Sequence, residues 1–282
     1  MIKLDPRLNA FRPELADVSL QGRVEATSFI KPAPMQVIEP VIPVHKAPRF
    51  DAMQLTQALL GETVKVFSEE EGWAWVQLER DGYVGYVNSN ALSSGIIGPT
   101  HRVAVPSTFL YPEPNLKSQP VIIVTMNAMV SVVGGDEKFA RLSGGRFIYT
   151  KHLKPVDLCE PDFVAVAEMF RHVPYYWGGK SVQGLDCSGL VQLALEASGV
   201  QALRDSDMQE QSLGTEMMVN DLDGLKRGDL VFWNGHVGIM TDSETLLHAN
   251  GHHMMTVAEP LKDAVERIAR VYGHITSIKR FQ

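Results

Sequence analysis

Cysteine is scarce in this chain: of 282 residues, only Cys159 and Cys187 carry a thiol. Two thiols are too few for a disulfide framework, and neither has the paired spacing of a zinc site. Long hydrophobic runs are also missing. No stretch approaches the roughly 18 apolar residues of a membrane-spanning helix, so no membrane partner is expected. Positive charge is not in excess, with 26 Lys and Arg against 33 Asp and Glu, a net charge of −7 and no basic run. Phosphate neutralisation needs clustered Lys and Arg, so no nucleic-acid partner is expected either. The first residues, MIKLDPRLNAFRPELADVSLQG, break any apolar core with acids and a proline. That reads as no export signal and favours the cytoplasm, with the cell envelope as the alternative. What is present is a globular composition, 45% apolar and 21% charged, with length for two or three compact domains. Nothing in it sets an oligomeric state.

Residues 1–43 read as an N-terminal segment and connector, because Pro32, Pro34, Pro40, Pro43 and Pro48 crowd the stretch after Phe29 and disfavour helix. From 44 to 95, short apolar alternations (TVKVF, WAWVQL, VGYV) separated by EEEG and RDG predict a small β-barrel. A second block, 99–155, repeats the scheme with AMVSVV, FARL, a turn at Gly144 and Gly145, and RFIYTKHL. Val64 to Trp73 and Val130 to Phe139 span the same nine steps, and GYVNSNAL and RFIYTKHL end their blocks in one style. Two tandem copies of one barrel are expected.

Residues 161–282 change pattern. PDFVAVAEMFRHV predicts an amphipathic helix started by Pro161 and Asp162 and stopped before Pro174. A glycine-rich loop then leads into the apolar helix LVQLALEA, closed at Gly199. GDLVFW, HVGIMTD and TLLHAN predict three antiparallel strands, so this domain is α+β.

Cys187 stands at the start of the second helix. Unpaired N–H groups and the positive end of the helix dipole favour an anion there, so a depressed thiol pKa and a nucleophilic sulfur are expected, against the commoner role of a small buried hydrophobe. The same N–H groups suit a tetrahedral oxyanion. A turn centred on residue 242 would set His236 directly opposite His248, as base and orienter. Each alone is more simply an ordinary strand histidine; the three together point to nucleophilic catalysis. The competing use is a metal site in HANGHH, from His248, His252 and His253, but consecutive histidines on an extended segment face opposite ways. Cys159 has no base near it and reads as structural or incidental.

With these residues in view, YYWGGKSVQGLDCSGLVQLALEASG, RDSDMQ and KRGDLVFWNGHVGIMTDSETLLHAN resemble the NlpC family of papain-like bacterial cell-wall cysteine peptidases. The resemblance covers about Asp162 to Gln282. With two SH3-like barrels ahead of it, the architecture is similar to that of γ-D-glutamyl-L-diamino acid endopeptidases. It implies a papain-like domain with Cys187 as nucleophile, His236 as base and His248 as third residue, and no metal or cofactor. It also implies a murein peptide substrate, L-Ala-γ-D-Glu-diamino acid with a free amine, in cell-wall recycling. Asp186 and Ser188 would face that peptide, with Asp186 placed to hold the ammonium, to cap the helix, or to do both. Tyr176 and Trp177 would wall the cleft or simply pack. Arg204, Ser206 and Asp207 match a segment beside the cleft, with an exposed loop as the alternative. Tyr86 and Asp51 of the first barrel are offered as pocket residues, Tyr86 also as barrel packing. An amidase or acyltransferase of the same fold, or a non-catalytic wall-binding protein, are the competing functions.

Overall fold

A computed structural model describes residues 4–218, 222 and 224–281. It divides into two compact units, Met1–Leu158 and Cys159–Gln282.

In the first unit, the proline-rich stretch is not a free connector. Ala33–Val37 and Val41–His45 are strands of a seven-stranded sheet with Thr63–Glu70, Trp73–Leu78, Val84–Asn88, Gln54–Leu59 and Leu92–Ser93. A proline removes a donor but does not forbid a strand where one side is unpaired. Pro34 pairs with Lys65 on one side, while the strand on its other side reaches only Gln36 and Val37. Pro43 pairs with Gln57, and the other neighbour of its strand meets it only at His45. The sheet of the first block thus extends into residues ahead of 44. Glu71 and Gly72 both have positive φ, 49° and 81°, and make the tight turn between Thr63–Glu70 and Trp73–Leu78. The segment before Pro32 packs on this sheet: Ala10 joins a core with Phe67, Trp75 and Val84, and the Arg12 guanidinium lies 4.7 Å from the Trp75 ring centroid.

The second block forms a five-stranded sheet (Ile122–Thr125, Ser107–Tyr111, Phe147–Tyr149, Phe139–Leu142, Val132–Gly135) and a three-stranded one (Met129–Val130, His101–Val103, Leu153–Pro155). They share a core of Val103, Leu110, Val124, Val130, Ala140, Leu142 and Ile148. Among the described residues the strand pairings close neither block into a complete barrel.

The second unit is the expected α+β domain with more elements than expected. Helix α1 is Phe163–Glu168, shorter than predicted, and Asp162 caps it by accepting from the Val164 and Ala165 amides at 2.9 and 3.3 Å. Helix α2 is Cys187–Ala197 and ends at Gly199 with φ of 79°. A Cβ at Gly199 would sit 2.5 Å from the sulfur of the exposed Cys159, so this position is held to glycine on space as well as on φ. Helix α3, Ser206–Ser212, occupies the segment that could have been an exposed loop. The sheet has six strands in the order Thr215–Glu216, Ser277–Arg280, Leu230–Trp233, His236–Met240, Thr245–Asn250 and Met255–Pro260. The two strands beyond Asn250 and helix α4, Leu261–Tyr272, were not anticipated. Leu261, Ala264 and Ile268 of α4 pack against Val231, Trp233, Met240, Leu246 and Ile278, while α2 lies against His236–Met240.

Candidate active site

The glycine loop and the start of α2 are locked together around one carboxylate. Asp186 caps α2 by accepting from the Gly189 amide at 2.7 Å and reaches back to the Gly178 amide at 2.8 Å. It also accepts from Arg204 Nη2 at 2.7 Å and from the Ser188 hydroxyl at 3.3 Å. Two carboxylate oxygens offer about four lone-pair sites, so Asp186 is filled by the protein itself. The capping role is thus present in the structure, and the ammonium contact stays a proposal beside it. Arg204 is likewise no exposed loop residue: its side chain is 1% exposed, and it also donates to the Ser188 hydroxyl at 2.8 Å and the Gly179 carbonyl at 3.3 Å. Ser188 is buried inside this network. Gln209 of α3 fastens it by donating to the Ser188 and Leu203 carbonyls, both at 2.9 Å. The loop and α2 touch closely enough that a Cβ at Gly189 would sit 2.1 Å from the Gly179 oxygen.

Tyr176 and Trp177 in the same loop are exposed, Trp177 at 60%. Ser206 is half-buried and Asp207 exposed in the first turn of α3. Tyr86 and Asp51 belong to the N-terminal unit, where the Tyr86 hydroxyl accepts from Arg12 Nη1 at 2.9 Å and Asp51 is exposed, 3.5 Å from Arg49.

The Cys187 thiol is buried at the start of α2, which lies against the strand that His236 opens. Burial pushes the thiol up to about 12, with the Asp186 charge adding to this and the Val237 and Ser188 amides and Arg204 opposing it. The expected depressed pKa is therefore corrected: desolvation outweighs the donors at the helix start. Burial also pushes His236 down to about 3, aided by His248 and Arg267. Burial thus disfavours the charged form of both groups.

His236 and His248 do meet, in a register two residues from the expected one. Ile239 pairs with Leu247 and Met240 with Leu246, around a turn in which Asp242 accepts from the Glu244 and Thr245 amides at 2.8 Å. Continuing that register sets His248 opposite Gly238. A two-residue slip leaves each side chain on its face, so the rings still touch, with Nε2 of His236 2.7 Å from Nδ1 of His248. The Tyr272 ring stacks on His236 at 5.8 Å and 23°.

Three residues near this site escaped sequence reading. Glu259 Oε1 accepts from His248 Nε2 at 2.7 Å, and Arg267 donates to both Glu259 oxygens. Burial alone would raise Glu259, but the bonds from His248 and Arg267 hold it at about 2. Both His248 nitrogens are thus engaged within the protein, and among the described residues no three metal-ligating side chains converge. Tyr175 is the third, with its phenol raised by burial and by the charges of Cys187 and Asp186. Its signal lay in plain view, one residue before Tyr176 and Trp177. For Glu259 and Arg267 there was only the helical spacing of Leu261, Ala264 and Ile268 to mark α4.

A thiol at a helix start, an imidazole pair on an adjoining antiparallel sheet and a capped glycine loop define a papain-like cysteine peptidase. Comparison with known proteins makes the class specific: residues 172–270 match the NlpC/P60 family, and residues 44–92 match the bacterial dipeptidyl-peptidase SH3 domain. The chain is thus a hydrolase that carries an NlpC/P60 domain and a bacterial SH3 domain. It is 28% identical over 216 residues to the gamma-D-glutamyl-L-lysine dipeptidyl-peptidase of Bacillus subtilis, covering 69% of this chain and 71% of that protein. It is 25% identical to dipeptidyl-peptidase 6 of Lysinibacillus sphaericus, covering 76% and 86%. An NlpC/P60 family protein from Bacillus cereus has the same fold, with a TM-score of 0.73 at 20% identity over 88% of this chain and 99% of that one.

Proposed function

We propose that this enzyme hydrolyses the γ-D-glutamyl–diamino acid amide of murein stem peptides that carry a free N-terminal L-Ala, releasing a dipeptide. The observation that carries the reading is the buried Cys187 thiol beside the His236 strand, with His236 bonded to His248 at 2.7 Å. The bond and the substrate class are supported by the two relatives, whose names are those of dipeptidyl-peptidases and, for one, of a γ-D-glutamyl-L-lysine bond.

The chemistry starts from two neutral groups. His236 takes the Cys187 proton as the sulfur attacks the amide carbonyl carbon, so charge separates only when the substrate is in place. The carbonyl oxygen becomes an oxyanion within reach of the amides at the start of α2, Ser188 first among them. His236 returns the proton to the diamino acid nitrogen as the C–N bond breaks. Water, deprotonated by His236, then splits the thioester to the dipeptide acid and restores the thiol. His248 holds the His236 ring in place throughout.

The exposed Tyr176 and Trp177 and the α3 residues Ser206 and Asp207 are the proposed substrate contacts in this unit. The two N-terminal blocks are read as a duplicated SH3-like scheme, supported by their common ending. Val84–Asn88, a 3-10 turn Ser89–Ala91 and Leu92–Ser93 answer to Phe147–Tyr149, Thr150–His152 and Leu153–Pro155. A recycling role follows if free peptides are the substrate. Incubation with the free tripeptide, its N-acetylated form and cross-linked wall, with products read by mass, tests this. Cleavage of the free tripeptide alone is expected; equal cleavage of the acetylated form would overturn the free-amine requirement.

A further inference from the structure

We infer that Glu259, held by Arg267, is a positioning residue that fixes the tautomers of the His236–His248 pair and thereby leaves Nδ1 of His236 as the free base. This deepens the reading of Cys187, His236 and His248 given above and rests on it. Glu259 lies opposite Leu246 on the neighbouring strand, hence on the face that also carries His248.

An ionised carboxylate only accepts hydrogen bonds. At 2.7 Å from Glu259 Oε1, Nε2 of His248 must therefore carry the proton. A neutral His248 then has a bare Nδ1, which can only accept, and its partner at 2.7 Å is Nε2 of His236. That nitrogen therefore carries the proton of His236, and Nδ1 is left without one. Reversing any link would set two lone pairs or two protons face to face at bonding distance. Asn250 also approaches Nε2 of His248 through its amide nitrogen at 3.1 Å, because its oxygen accepts from His253 N at 2.9 Å. The shorter, charged bond to Glu259 decides the protonation. Arg267 keeps Glu259 ionised and stationary, and its two donated bonds leave the carboxylate no second orientation.

The relay has a charge as well as a geometry. When His236 becomes an imidazolium, Glu259 is the nearby anion that favours it and Arg267 the cation that opposes it. The other titratable groups facing the pair are His253, on the His248 side, Tyr272, stacked on His236, and the Cys187 thiol at the start of α2. Losing Glu259 and losing Arg267 should therefore both slow the reaction but move the pH profile in opposite directions.

The test uses the full chain. In uniformly 15N-labelled wild type, His236 should show a protonated Nε2 and a bare Nδ1, and Glu259→Ala should abolish that preference. Glu259→Gln, which keeps the shape and loses the charge, should lower kcat for the free tripeptide by about 10–100-fold, the scale seen when an orienting partner of a histidine is removed. Its acid limb in kcat/KM should move to lower pH, and that of Arg267→Ala to higher pH, with Arg267→Lys restoring part of the rate. Circular dichroism matching wild type guards against misfolding. A protonated Nδ1 of His236 in wild type would overturn the proposal, as would kcat and acid limb within about twofold of wild type in Glu259→Gln. If wild type shows the stated tautomers but does not cleave the tripeptide, the substrate assignment fails and the positioning role stands.

Discussion

Whether Asp186 is a structural anchor or a substrate contact can be decided by removing its partner. Arg204→Leu keeps bulk in a site where the guanidinium is 1% exposed but leaves the buried carboxylate with only the Gly178 and Gly189 amides and the Ser188 hydroxyl. It also strips donors from the Ser188 oxygen and the Gly179 carbonyl. Breaking a buried ion pair by deleting one member costs about 3–5 kcal/mol, because an uncompensated charge stays behind. Asp186→Asn in the same background removes that charge while keeping a capping side chain, so the double variant should recover most of the loss, a coupling of about 2–3 kcal/mol. Because the chain has two compact units, a global melting curve would mix their transitions. Hydrogen exchange of peptides covering residues 176–200 reads the site directly. A cost below about 1 kcal/mol for Arg204→Leu, with no recovery in the double variant, would refute the anchoring role and return Asp186 to the list of substrate contacts.

With the Cys187 thiol pushed up to about 12, iodoacetamide labelling of the free enzyme should climb steadily across pH 6–9; a plateau below pH 7 would reveal a preformed thiolate–imidazolium pair. Gly189→Ala drives a Cβ to 2.1 Å from the Gly179 oxygen, and should cost about 1–3 kcal/mol in the same exchange experiment together with activity. Glu71→Gly relieves a left-handed residue at φ 49° and should stabilise the N-terminal unit by about 0.5–1 kcal/mol in urea unfolding. Glu259 has a folded pKa lowered from 4.5 to about 2, so its contribution to stability is complete above 4.5 and lost as pH falls towards 2. Exchange at residues 245–267 should accelerate over that window in wild type and lack the step in Glu259→Gln.

The parts of the site that were legible in sequence are those set by short-range pattern. Asp186 and Cys187 begin a helix because a capping acid precedes an apolar run, and His236 and His248 share a face because side chains alternate along strands. The register was misjudged by two residues because Asp242 draws the turn one position along, yet alternation made that error harmless to the contact. Long-range pairing was not legible. Arg204 finds Asp186 across the loop leading to α3, and Glu259 reaches His248 from a strand that no turn signal marked. Burial was not legible either, and it reverses the expected direction of the Cys187 pKa. In the N-terminal unit, prolines exclude helix and leave an extended chain, but only the long-range pairing makes Pro34 and Pro43 strand positions.

The central claim is that Cys187 performs the hydrolysis. The direct measurement is turnover of L-Ala-γ-D-Glu-diaminopimelate or its lysine analogue by wild type and Cys187→Ala, with products identified by mass. Wild type should release L-Ala-γ-D-Glu and the free diamino acid, and Cys187→Ala should bind the peptide without cleaving it. Cleavage that survives in Cys187→Ala, or wild-type products cut at any other bond, would contradict the account.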